Sequence, residues 1–135
     1  MKSQIILCSG GARSGKSEFA ERLALSTEGR KAYVATGQAF DEEMVDRIKK
    51  HQERRGAIWT NFEVPLYLAK EWQNISQSAD VILIDCLTMF TTNHMMAHGS
   101  IQGQQDANDL EEAVLSELKL LLNLIASSDG KTVIF

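Results

Sequence analysis

Proline is almost missing from this 135-residue chain, with one at Pro65, and cysteine is scarce, with only Cys8 and Cys86. Two thiols cannot build a disulfide scaffold. Both sit in apolar, strand-like runs, which reads as buried free thiols in a reducing compartment, with a disulfide or redox pair as the alternative. No apolar run approaches the roughly 18 residues of a membrane span. The stretch Ile5–Cys8 is too short for the apolar core of a secretory signal. Positive charge is not in excess: 14 Lys and Arg face 18 Asp and Glu, a net charge of −4, which argues against a partner such as duplex nucleic acid. There is no internal repeat and no low-complexity segment. What remains, 44% apolar and 24% charged, is the composition of a globular protein of one domain's length. Such a chain buries a core without disulfide or metal staples. A cytoplasmic protein is expected.

Apolar runs alternate with amphipathic ones. Gln4–Cys8, Lys31–Thr36, Asp80–Asp85 and Lys131–Phe135 read as four strands. Helices are predicted over Ser17–Ser26 with Phe19, Ala20, Leu23 and Ala24 inward, over Asp41–Arg55 up to Gly56, and over Glu63–Gln73 with Pro65 in the first turn. A long helix is predicted over Asp106–Ser127, with a stripe through Leu110, Val114, Leu118, Leu121, Leu122 and Ile125. Thr91–Gln105 is polar and reads as a mobile loop near a binding site. Strands that lack in/out alternation, separated by helices, indicate an α/β fold: a mostly parallel sheet covered by helices on both faces.

Gly10-Gly11-Ala12-Arg13-Ser14-Gly15-Lys16-Ser17 fits G-x-x-x-x-G-K-[ST], with an apolar strand before it and a helix directly after. Glycines let backbone N–H groups turn inward as a nest for phosphate oxygens. The following helix aims its positive end at the same anion. Lys16 would reach the terminal phosphates and the Ser17 hydroxyl would hold Mg²⁺. Asp85 closes the apolar run Val81–Ile84, where a P-loop protein places the carboxylate that faces the metal. Ser17 and Asp85 are thus the candidate Mg²⁺ ligands.

Arg47, His51 and Arg55 fall at i, i+4 and i+8 of the Asp41–Arg55 helix, within ~80° of one another. They lie beside an apolar stripe of Met44, Val45 and Ile48. An imidazole between two guanidiniums suits a phosphate-rich ligand. A solvated basic face paired with Asp41, Glu43 and Glu53 accounts for the same pattern, and periodicity alone does not choose. His94 and His98 lack a carboxylate or thiol at useful spacing and read as polar loop residues rather than metal ligands. Met95 and Met96 read as gap-filling core, with contact to a bulky ligand as the alternative. Trp59 and Trp72 read as core anchors.

Taken together, the motifs resemble the bifunctional adenosylcobinamide kinase / adenosylcobinamide-phosphate guanylyltransferase family of cobalamin biosynthesis. Gly10–Ser17 carries the first part of the likeness. Tyr33-Val-Ala-Thr36, Asp41-Glu-Glu-Met44 and Arg47-Ile48-x-x-His51-x-x-x-Arg55 carry the second, with Trp59, Glu63 and Pro65 following. Leu83-Ile-Asp85-Cys-Leu-Thr88 and Thr92-Asn93 carry the third. The resemblance implies a P-loop NTPase-like (RecA-like) domain that binds GTP or ATP and a corrinoid. One reaction would phosphorylate the hydroxyl of the aminopropanol arm of adenosylcobinamide. The other would move GMP from GTP through a guanylylated histidine, which falls on His51. Arg47, Gln52, Arg55, Thr36, Gly37 and Glu63 fall where the family contacts nucleotide. Gly37 and Gly56 would serve as hinges for the helix that carries His51.

The family runs on beyond a strand matching Lys131–Phe135. The resemblance therefore implies that 1–135 is a single P-loop nucleotide-binding domain without the family's C-terminal part. Its last strand would then be incompletely flanked, and the chain is expected to form homo-oligomers. Another P-loop kinase of small metabolites, or a nucleotide-binding remnant without turnover, remain as alternative readings.

Overall fold

The computed structural model describes residues 2–11, 14–37 and 42–135. Their order is β1 (Gln4–Ile6), α1 (Lys16–Ser26), β2 (Lys31–Ala35), α2 (Glu42–Arg55), β3 (Trp59–Glu63), α3 (Leu68–Ser78), β4 (Val81–Asp85), α4 (Leu87–His98), α5 (Gln104–Ser127) and β5 (Thr132–Ile134). The strands form one sheet in the order β1-β5-β4-β2-β3, and every pairing is parallel. This is the α/β sheet expected from the sequence.

Side chains alternate across a strand, and the register sorts the core into two layers. Ala32, Val34, Ile82, Ile84 and Val133 pack with Leu68, Trp72, Ile75, Phe90, Leu121 and Ile125, so α3, α4 and α5 cover one face. Leu83, Val81, Ile134 and Trp59 pack with Ala20 and Ala24, so α1 covers the other. Trp59 and Trp72 are both buried, and Trp72 Nε1 donates to Ser128 Oγ at 3.0 Å.

Several expectations are corrected. Trp59–Glu63 is a strand rather than the approach to a helix, because β2 offers it a complete parallel ladder from Lys31↔Trp59 to Ala35↔Glu63. The helix predicted from Glu63 therefore begins only at Leu68, and Pro65 falls in the turn between. Thr91–His98 is helix, not loop. Phe90 and Asn93 bury one side of α4, while the Thr91 and Thr92 hydroxyls donate to the Leu87 and Thr88 carbonyls at 2.9 and 3.0 Å. The polar composition is thus satisfied inside the helix. Met95 and Met96 are exposed rather than core, and so are Phe19 and Leu122 of the predicted inward faces. Val45 of the predicted apolar stripe is exposed too, and α2 buries none of its residues. The last strand is the fifth and is flanked on both sides, by β1 and β4. Asp41, the predicted start of α2, lies outside the described residues.

Candidate functional site

The C-terminal ends of parallel strands are where open α/β sheets hold ligands, and the candidate residues gather there. β1 leads into the candidate phosphate loop, Gly10–Ser17, of which Ala12 and Arg13 lie outside the described residues. At Gly10 a β-carbon would meet Ser14 Oγ at 2.6 Å, so a side chain there would have to displace the Ser14 hydroxyl. Gly15 caps α1 in the left-handed region at φ +82°, where a side chain is costly. The turn places Lys16 and Ser17 in the first turn of α1, with Phe19 N–H donating to Gly15 O at 3.0 Å.

Ser9, Gly10, Lys16 and Ser17 line one side of a cavity of about 280 Å³, and Asp85, Cys86 and Thr88 line the other. Cys8 also lines it, and both cysteines are half-buried free thiols. A second cavity, about 230 Å³, shares Ser17 and Asp85 with the first and is closed by His51, Gln52 and Arg55 from α2. Tyr33 and Asn61 lie between these groups. Ser17 and Asp85 are therefore the residues common to both cavities. They present a hydroxyl and a carboxylate toward one space, a donor set of the kind Mg²⁺ takes.

The sheet register explains the neighbours of Asp85. Asp85, Ala35 and Glu63 form one row across β4, β2 and β3, and Leu83, Tyr33 and Asn61 form the row beneath. Both rows face α1. The Tyr33 hydroxyl donates to Asp85 Oδ2. The Arg55 guanidinium lies 3.5 Å above the Tyr33 ring centroid, and its Nη2 donates to Asn61 Oδ1 at 3.0 Å. Burial pushes the Tyr33 phenol well above its usual pKa; the adjacent carboxylate of Asp85 adds to this and Arg55 partly opposes it. At neutral pH the hydroxyl keeps its proton and donates it to Asp85.

The predicted basic stripe divides. Arg55 turns inward onto Tyr33. Arg47 stays exposed, 3.7 Å from Glu43, which is the arrangement a solvated face gives. His51 is exposed and borders the second cavity. Thr36 is fully buried. Its hydroxyl donates to Cys86 O at 2.6 Å and accepts from Cys86 N–H at 2.9 Å, clamping β2 to the end of β4. Gly37 follows directly, and Glu63 is exposed at the end of β3 beside Gln52. His94 packs edge-on against Phe90 at 4.6 Å, with Nε2 3.2 Å from Leu66 O. Among the described residues no group of three or more His, Cys, Asp and Glu could hold a metal, and no helix is long and apolar enough to cross a membrane.

Tyr33 opens the Tyr33-Val-Ala-Thr36 stretch of the family likeness but is not among the site residues expected from it, and Asn61 carries no motif signal. They enter the site only through the pairing of β2 with β3 and β4.

The sequence profile described as cobinamide kinase / cobinamide phosphate guanyltransferase matches residues 6–135. The bifunctional adenosylcobalamin biosynthesis protein CobP of Pseudomonas aeruginosa is 39% identical over 127 residues, 93% of this chain and 72% of the relative. The bifunctional adenosylcobalamin biosynthesis protein CobU of Salmonella typhimurium is 34% identical over 132 residues, 96% of this chain and 72% of the relative. CobU of Escherichia coli is 30% identical, with 96% and 72% covered.

Proposed function

The chain belongs to the cobinamide kinase / cobinamide phosphate guanyltransferase family, and from that premise we propose that it performs both reactions on one nucleoside triphosphate site. Its named relatives are bifunctional adenosylcobalamin biosynthesis proteins, and cobalamin biosynthesis is the pathway it serves. In the first reaction the γ-phosphoryl group of ATP or GTP passes to the hydroxyl of the aminopropanol arm of adenosylcobinamide. In the second, a ring nitrogen of His51 attacks the α-phosphorus of GTP and pyrophosphate leaves. The phosphate of adenosylcobinamide phosphate then attacks the phosphoramidate, takes GMP and frees the imidazole.

The observation that carries this reading is the sharing of Ser17 and Asp85 between two cavities, one lined by the phosphate loop and the other by His51. A triphosphate lying across that boundary has Lys16 at one end and His51 at the other. Lys16 and the loop N–H groups neutralise phosphate oxygens. The Ser17 hydroxyl and the Asp85 carboxylate would hold Mg²⁺, which supplies charge neutralisation at the transferring phosphoryl group. Arg55 and Gln52 border His51 and suit oxygens near the α-phosphate, with Arg47 further out on the exposed face. Gly37 and Glu63, at the ends of β2 and β3, suit the nucleoside, and Thr36, bonded to Cys86, fixes the end of β2 against that of β4.

Intact-mass spectrometry after incubation with GTP and Mg²⁺ tests the reading. A GMP adduct that is acid-labile and base-stable is expected, as for a phosphoramidate. His51→Ala should lose the adduct and keep GTP binding. An adduct that persists in His51→Ala puts the nucleophile elsewhere.

A further inference from the structure

We infer that Tyr33 is a positioning residue that couples the two halves of the site, fixing Asp85 through its hydroxyl and Arg55 through its ring. The inference rests on the reading above, in which Asp85 serves the metal and Arg55 stands beside the nucleophilic His51.

Three contacts carry it. The Tyr33 hydroxyl donates to Oδ2 of Asp85. Among the described residues the carboxylate is thus held at one oxygen, with Asp85 lining both cavities. The ring's opposite commitment is to α2, whose Arg55 guanidinium stacks 3.5 Å above its centroid. The ring is itself braced edge-on by Trp59, at 6.1 Å and 83°. The Arg55 Nε is buried without a hydrogen-bond partner among the described residues. The stack and the Nη2 bond to Asn61 are thus what the structure offers that guanidinium. No residue of α2 is fully buried, and Arg55, over Tyr33 and bonded to Asn61, ties the His51 helix to the sheet. One side chain therefore touches both the metal-facing carboxylate and the arm that bears the nucleophile.

Groups that orient a metal ligand from behind matter to metal affinity nearly as much as the ligand does. Cation–π stacking, by contrast, needs the ring and not the hydroxyl. The two roles of Tyr33 are therefore separable by substitution.

Tyr33→Phe keeps the ring and removes the donor. The Mg²⁺ concentration for half-maximal GTP binding, read by titration calorimetry, should rise about tenfold. GTP binding without Mg²⁺ and the rate of adduct formation at saturating Mg²⁺ should stay at parent values. Tyr33→Leu removes both contacts. It should show the same Mg²⁺ requirement and, in addition, an adduct rate at saturating Mg²⁺ lower by on the order of tenfold to a hundredfold. An unchanged Mg²⁺ requirement in Tyr33→Phe overturns the Asp85 half. Equal adduct rates for the Phe and Leu variants overturn the Arg55 half. A parent chain that forms no adduct sinks the guanylylation reading and the Arg55 half with it, while the Mg²⁺ titration still decides the Asp85 half.

Discussion

Lys16 emerges at the first turn of α1, behind a glycine whose φ of +82° turns the chain into the helix. It lines the phosphate-loop cavity and packs no core. Lys16→Ala should therefore leave the thermal midpoint near the parent's. GTP binding should weaken by at least tenfold, since a charge-assisted phosphate contact is worth about 1.5–3 kcal/mol. Equal affinities in calorimetry would remove the phosphate loop from the site. At the opposite, N-terminal end of the strands, Asp80 plays a purely structural part. It accepts from the Arg30 side chain and backbone, and Lys131 Nζ lies at 3.7 Å. The Arg30 side-chain bond, the Arg30 backbone bond and the nearby cations lower its pKa to about 2. A carboxyl whose pKa falls on folding stabilises the fold above its unfolded value, near 4, and loses that contribution as pH drops toward the folded value. Asp80→Asn should lower the melting temperature at pH 7, by a margin that shrinks below pH 4 and closes near pH 2. A margin independent of pH would assign the effect to packing. GTP binding, at the other end of the sheet, should not change. Residues adjacent in the chain, such as Gly10–Ser17, are legible from sequence alone because a single turn builds the nest. Asp85 is legible because an apolar strand ending in an acid announces it. Tyr33 and Asn61 are not, because only inter-strand register brings them to Asp85 and Arg55.

At the scale of elements, the segments whose sequence misleads are those that depend on a distant partner. Trp59–Glu63 has mixed polarity because its partner β2 lies on one side only, at the sheet's edge. α4 carries one buried polar residue where an apolar stripe would have announced a helix. That residue, Asn93, donates from Nδ2 to Thr36 O at 2.6 Å and to Pro65 O at 3.1 Å. It ties α4 to the end of β2 and to the turn after β3, both of which frame the site. Asn93→Ala leaves two carbonyls without that donor and opens a small void. It should destabilise the fold by about 2 kcal/mol or more in denaturant melts. The same variant should weaken GTP binding less than it weakens folding, since Asn93 sits behind the cavity wall. A neutral result would mean that water replaces the amide without cost. α2 is the opposite case: its helical period is readable and its attachment is not. Its clearest contact with the sheet is Arg55 over Tyr33, with Ile48 half-buried beside it.

In the molecule as a whole, β5 separates the phosphate-loop strand β1 from the carboxylate strand β4, and Phe135 at its end floors the cavity between them. That insertion sets the separation of the two strand ends that line the cavity. It also places β1 at the border of the sheet, with its outer edge free of any other strand among the described residues. Ile5 and Leu7 share one side of this short run, and Leu7 is 69% exposed. An uncovered strand edge with apolar side chains invites pairing with another chain. The homo-oligomer expected from the sequence is accordingly proposed to form through this border. Sedimentation velocity should show association that grows with protein concentration. Ile5→Lys places a charge on the edge, the device by which natural sheets block such pairing. It should shift the population toward monomer while leaving GTP binding intact, because Ile5 lies outside the residues that line either cavity. If the unsubstituted chain is monomeric at every concentration, the border is not an interface. If Ile5→Lys associates as the parent does, the contact lies elsewhere on the surface.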